Sequence, residues 1–322
     1  MAARLNTILL LCLLSGTGVL SAQNKPRPAG ALTQEAALKL KSAEDTLAIL
    51  AYAVVNDSIE NQRFAACKVL IKQLVQTLKI ENSFKYQFDR LKSISILTPP
   101  DSSFRIFSWQ LYVNDSTYRY YGAIQMNQSA LKLYPLIDRS ADMEPPPVYE
   151  QLSPERWFGS LYYNMRQFDS KEGKKYLLFG FDVPDFFSRR KVIEVLSFDK
   201  DGDPVFGAPV FKREPAKIPA EQRLFFEYAA DGSIRVNWDE QYKMILFDHL
   251  IPIPSPHARG ITFVTDGSYD ALVLEKGVWK YVTQVFHDMQ DEAPRPEPIL
   301  DTRKDKDISG KPKKVPKKKG GV

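Results

Sequence analysis

Asp248 and His249 set a carboxylate beside an imidazole at the end of an apolar run, Tyr242–Leu250, next to a proline-rich segment. That pairing suits a general base or a ligand contact, and equally a turn closed by local hydrogen bonds. A second polar group lies upstream. Asp182-Val183-Pro184-Asp185 and Ser188-Arg189-Arg190 place two carboxylates and two guanidiniums between apolar runs, as the rim of a binding site or as a salt-bridged loop. Trp157, Tyr162 and Tyr163 are rings of the kind that form glycan platforms or fill a β core. Asp182, Asp185, Arg190, Asp248 and His249 make a site if the fold gathers them in one concave cleft, with Trp157 and Tyr162 as its aromatic wall.

Other chemistry finds less support. The three histidines, His249, His257 and His287, do not fall at zinc spacing, and neither a metal nor a cofactor is expected. Asp199-Lys200-Asp201-Gly202-Asp203 puts its glycine fourth, where a calcium loop of the helix-loop-helix type needs it sixth, so the segment reads as a tight turn with solvated acids. Neither a glycine-rich phosphate loop nor a nucleophile elbow is present. A glycosidase-type carboxylate pair stays open, because sequence spacing does not show which carboxylates face each other.

The elements that must position these residues are mostly strands. Lys174–Asp182 and Arg190–Phe198 are dense in aromatic and β-branched residues, and Asp-Gly at 201–202 turns the second into Pro204–Lys212. Ser93–Thr98, Phe104–Val113, Tyr118–Met126, Leu131–Ile137 and Trp157–Phe168 precede them. Arg223–Ala229 and Ser233–Asp239 read as a hairpin about Ala230-Asp231-Gly232, Ile251–Arg259 as a turn-rich proline segment, and Tyr269–Glu275 with Val278–Phe286 as a last hairpin. Upstream the period is helical. Thr33–Asn56 carries Leu38, Leu40, Leu47, Leu50 and Val54, and Asp57–Lys79 carries Phe64, Cys67, Leu70, Ile71, Leu74, Val75 and Leu78, capped by Asp57 or Ser58. The expected fold is mainly β with an N-terminal helical hairpin (α+β): an antiparallel β-meander as curved sheet, sandwich or barrel.

Five segments follow: a secretory leader at 1–22, a linker at 23–32, the helical hairpin at 33–80, the β domain at 93–290, and a basic, disordered tail at 295–322. Of the net charge of +5, Arg295–Val322 supplies ten Lys or Arg against four Asp or Glu, so the rest of the chain is close to neutral. A nucleic-acid groove in the folded part is therefore not expected, whereas the tail suits acidic surfaces such as lipid headgroups.

Several runs carry a family resemblance: Ile96-Leu97-Thr98-Pro99-Pro100-Asp101, Phe104-Arg105-Ile106-Phe107-Ser108-Trp109, Trp157-Phe158-Gly159-Ser160-Leu161-Tyr162-Tyr163, Tyr176–Asp182, Lys191–Leu196, Val205–Phe211 and Met244–Leu250. Over most of Ser93–Phe286 the chain resembles an uncharacterised family of exported β-rich proteins from Bacteroidota-type bacteria. The resemblance implies export and a single β-rich unit, and brings no catalytic residue. The expected function is a non-catalytic binding or interaction module of the cell envelope, periplasmic or envelope-associated, with an envelope protein or glycan as partner. The alternative is a hydrolase or glycan-processing enzyme on a β scaffold.

Overall fold

The computed structural model describes residues 27–114, 117–213, 218–256 and 260–286. The leader at 1–22, the start of the linker, the tail at 295–322, His257 and His287 lie outside the described residues.

Two antiparallel helices open the fold, α1 (Gln34–Asn56) and α2 (Glu60–Leu78). Thr33 caps α1, its Oγ1 accepting from the Ala36 amide at 3.1 Å. Leu40, Leu47, Ala51 and Val54 of α1 and Cys67, Leu70, Leu74 and Leu78 of α2 are buried at spacings of three, four and seven. Leu38 does not join that stripe. It stands two positions, or about 200°, from Leu40 on the helix and faces solvent. Neither Asp57 nor Ser58 caps α2: Ile59 holds the cap position, and the Asp57 carboxylate accepts the Ile59 amide at 2.8 Å. Among the described residues no helix is long and apolar enough to cross a membrane.

Fourteen described strands follow. They are β1 (Ser95–Leu97), β2 (Phe104–Asn114), β3 (Thr117–Met126), β4 (Leu133–Ile137), β5 (Leu161–Ser170), β6 (Gly173–Asp182), β7 (Ser188–Phe198), β8 (Pro204–Phe206), β9 (Phe211–Lys212), β10 (Leu224–Ala229), β11 (Val236–Asp239), β12 (Met244–Pro254), β13 (Ile261–Glu275) and β14 (Val278–Val282). They form three open sheets: β1-β2-β3-β4, then β10-β7-β6-β5 with β8 beside β7, then β11-β12-β13-β14-β9. Among the described strands all pairings are antiparallel except β14 with β9, a two-residue parallel contact that departs from an all-antiparallel meander; an isolated parallel bridge also joins Asp138 to Trp157.

Side-chain alternation along the strands stacks these sheets. Phe107, Trp109 and Leu111 of β2 pack on the helical hairpin, while Phe104 and Ile106 turn the other way onto the second sheet. In the second sheet Tyr176 and Leu178 of β6 face the first sheet, and Leu177 and Phe179 face the third. The order is helices, first sheet, second sheet, third sheet. The second is covered on both faces, which is why Tyr176-Leu177-Leu178-Phe179 reads as an unbroken apolar run.

Three local expectations are corrected. Arg223–Ala229 and Ser233–Asp239 are not a hairpin: β10 pairs with β7 and β11 with β12, so the turn at Ala230–Gly232 carries the chain from one sheet to the next. Ile251–Arg259 is not all turn, because β12 runs through Pro252 to Pro254 in register with β13. Among the described residues β11 pairs with Met244–Phe247 and Asp248 still donates to Arg235, so Pro252 and Pro254 lie beyond that pairing and their missing N–H groups cost it no ladder bond. Trp157–Ser160 is not strand, and β5 begins at Leu161.

Candidate functional site

The site begins at an irregularity in the longest ribbon. Asp248 pairs with Tyr269, but the next registered pair is Leu250 with Thr265, so His249 stands opposite the three-residue bulge Asp266-Gly267-Ser268 of β13. Gly267 has φ +89°, a conformation glycine takes without strain, and the bulge is closed by Thr265 Oγ1 accepting its amide and by Asp266 accepting from Ser268. Such bulges bend a strand and re-aim its side chains. Here His249 Nδ1 lies 2.9 Å from Asp270 Oδ2. The same carboxylate accepts the Tyr281 hydroxyl at 2.7 Å and the Gln284 amide at 2.8 Å. Asp270 is buried and His249 half-buried. The hydrogen bond to Asp270 holds the imidazole pKa above its ordinary value, against the smaller effect of burial. Burial, and after it the hydrogen bond to Asp270, pushes the Tyr281 phenol well up.

A cleft of about 270 Å³ opens here along the edge of β10. Phe226 and Phe247, with ring centroids 4.8 Å apart, lie beneath it, and Phe225, Phe263 and Tyr281 add further rings. Its polar groups are Glu227, Asp248, His249, Asp270 and Arg213, whose guanidinium sits 4.8 Å from the Tyr281 ring and pairs with Glu221 at 3.0 Å. Asp248 accepts the Arg235 amide. Each polar group named has a protein neighbour that orients it before any ligand arrives.

The residues expected to form one site divide. Asp248 and His249 line this cleft. Asp182 and Arg190 are cross-strand partners on β6 and β7, 3.2 Å apart, and open instead on a separate hollow of about 120 Å³ with Tyr120 and Glu144. Arg190 also reaches Glu227 at 2.7 Å, so one guanidinium stands between the two hollows. Burial pushes the Asp182 carboxyl up to about 6, with Arg190 opposing and Asp138 adding to the rise. Asp185 joins neither hollow. It accepts the Phe187 and Ser188 amides, each at 2.7 Å, and shapes the β6–β7 turn. Trp157 and Tyr162 are corrected outright: both are fully buried, the indole donates to the Tyr162 hydroxyl at 2.8 Å, and neither ring has a face open to a ligand.

Sequence reasoning missed Asp270, Tyr281, Glu227, Arg213 and Phe263. One signal was present: Gly267 isolated inside an alternating run marks a bulge, and a bulge marks a place where side chains are redirected. Among the described residues no group of three or more His, Cys, Asp or Glu is placed to hold a metal ion. Compared with protein-family models, curated proteins and solved structures, the chain has no match.

Proposed function

We propose that the protein is an exported, envelope-associated binding module, and that the cleft at His249 takes a small hydroxylated ligand such as the end of a glycan. The observation that carries this reading is the bulge at Asp266–Ser268, which turns His249 onto Asp270 at the mouth of an aromatic-lined cleft. Ring faces suit the C–H face of a sugar, and fixed carboxylates, imidazole and guanidinium suit its hydroxyls. The leader-like N-terminus and the resemblance to exported Bacteroidota-type proteins support the location. Isothermal titration of envelope-derived oligosaccharides into the protein tests the reading. Saturable binding is expected, weakened about tenfold in F263A and in D248N, a loss on the scale of one good contact. Absence of saturable binding across the panel, or equal binding by both variants, overturns it.

A second reading rests on one specific contact. An imidazole whose Nδ1 is held by a buried carboxylate is arranged as proton-transfer groups are in hydrolases, with its other nitrogen left to exchange a proton. In that reading His249 is the base and Asp270 its orienting partner. Turnover of a glycan or ester substrate that disappears in H249A, with titrimetric binding retained, would favour it.

A further inference from the structure

The charges around the His249 cleft do not cancel. Glu227, Asp248 and Asp270 line it, against the Arg213 guanidinium and the imidazole. Each cation already has an acid within the protein. Arg213 Nε holds Glu221 at 3.0 Å, and His249 holds Asp270 at 2.9 Å. Arg190, behind Glu227, is divided between Asp182 at 3.2 Å and Glu227 at 2.7 Å. Asp248 has no such partner. Arg235 gives its carboxylate only a backbone amide, and turns its own guanidinium to Asp239 at 3.4 Å. The amide takes Oδ2 and leaves Oδ1 without a donor among the described residues. Glu227 likewise gives Oε2 to Arg190 and leaves Oε1 without a donor among the described residues. Asp270 differs, since His249, Tyr281 and the Gln284 amide occupy both its oxygens. The cleft thus presents two open carboxylate oxygens, one of them on an acid that no cation neutralises.

We propose that the ligand of this cleft carries a protonated amine, as an amino sugar with an unacetylated nitrogen does, and that Asp248 and Glu227 determine this specificity. The inference rests on the binding reading above and narrows it. An ammonium offers three donors and no acceptor, which suits oxygens that only accept. A hydroxyl can donate to one of them, but it leaves the negative charge uncompensated. A ligand carboxylate or phosphate meets like charge at Asp248, and Arg213 is already bound to Glu221. Asp248 is half-buried, so solvent screens it less than it would a surface acid. The rings agree with this choice. Phe226, Phe247 and the partly exposed Phe263 line the same cavity, and ring faces attract cations as well as the C–H face of a sugar. The protein's own cations use such faces beside the cleft: the Arg213 guanidinium lies 4.8 Å from the Tyr281 ring centroid, and that of Arg190 5.6 Å from the Phe225 centroid.

Isothermal titration with oligosaccharides of equal length tests this: a β-linked glucosamine tetramer, its fully N-acetylated form and the corresponding glucose tetramer, at about pH 7, where a sugar amine is largely charged. The free-amine tetramer is expected to bind about tenfold more tightly than the other two, with the preference shrinking at high salt. D248N and E227Q each keep an acceptor, for the Arg235 amide and for Arg190, and unchanged thermal unfolding is the check that they fold. Each is expected to bring binding of the amine form down toward that of the acetylated form. Equal or tighter binding of the acetylated or glucose tetramer by the wild type overturns the amine assignment and leaves the cleft a site for neutral glycans. A preference that persists in both variants overturns it too, because the amine is then held elsewhere. If no tetramer binds while envelope oligosaccharides do, the amine assignment falls alone; if neither set binds, the binding reading falls with it.

Discussion

Two charged pairs of nearly the same length stand in very different surroundings. Arg223 Nε lies 2.8 Å from Glu194 Oε2 between the first and second sheets, and His249 Nδ1 lies 2.9 Å from Asp270 Oδ2 at the cleft. Both partners of the first pair are out of water. Arg223 spends its other donors on backbone carbonyls of the proline-rich loop and its surroundings: Pro147, Glu150 at 2.8 Å and Phe206 at 3.2 Å. It pins the segment 145–150 to the core, and leaves nothing for a ligand. In the second pair the carboxylate is buried but the imidazole is only half-covered, so the pair meets solvent on one side. Burial, not residue type, separates a structural charge from one available for recognition.

That contrast has consequences that rank by size. The largest is expected in R223A, which strips a buried carboxylate of its partner and lowers stability by about 3–5 kcal/mol in urea unfolding. R223M/E194L, which removes both charges, should recover much of the loss, whereas a structural role for the guanidinium's carbonyl contacts alone would leave the double variant as unstable as the single. G207A comes next. Gly207 has φ +98°, and an added Cβ would sit 2.9 Å from both Arg223 Nη2 and the Glu150 carbonyl oxygen, so a loss of about 1–3 kcal/mol is expected by the same measurement. H249A should cost about 1 kcal/mol or less, since Asp270 keeps two donors, Tyr281 and the Gln284 amide, while ligand binding falls. A stability loss in H249A as large as that of R223A would erase the distinction.

The smallest effect is a pH dependence. The folded-state pKa of His249 is raised, so the protonated imidazole stabilises the fold fully below its unfolded value near 6.5. That contribution fades as the pH rises through the folded value. NMR titration of the His249 ring should give a midpoint above 6.5, and D270N should bring it down toward that value. G267A, with open space around the new methyl but φ +89° at the bulge, should shift the same midpoint without touching the ring.

The fold was legible where burial dictates local pattern. Lys174–Asp182 reads as a strand from its dense aromatic and β-branched run, though its cover on both faces comes only with the structure, and the helical stripes through Leu47 and Leu70 had to be buried. Expectations failed where a local signal serves two topologies. Ala230-Asp231-Gly232 turns the chain equally well within a sheet or between sheets. Pro252 and Pro254 forbid a central strand but not the part of a strand that lies beyond its neighbour's pairing. The site was half legible. Asp248 and His249 are neighbours in sequence, but Asp270, Tyr281, Glu227 and Arg213 reach them only through the register of β10, β12, β13 and β14, which no short window encodes. Trp157 and Tyr162 stayed open between platform and core, because a ring that stacks on a sugar and a ring that fills a core have the same composition and differ only in exposure; burial decides for the core.

Amide chemical-shift mapping of the labelled protein with envelope oligosaccharides addresses the cleft most directly. Shifts confined to Glu227 and its β10 neighbours, Asp248–Leu250, Phe263, Asp270 and Tyr281 are expected, with Glu194 and Arg223 unmoved. Shifts centred elsewhere, or at the Asp182–Arg190 hollow with the His249 cleft silent, would contradict the assignment of this cleft as the binding site.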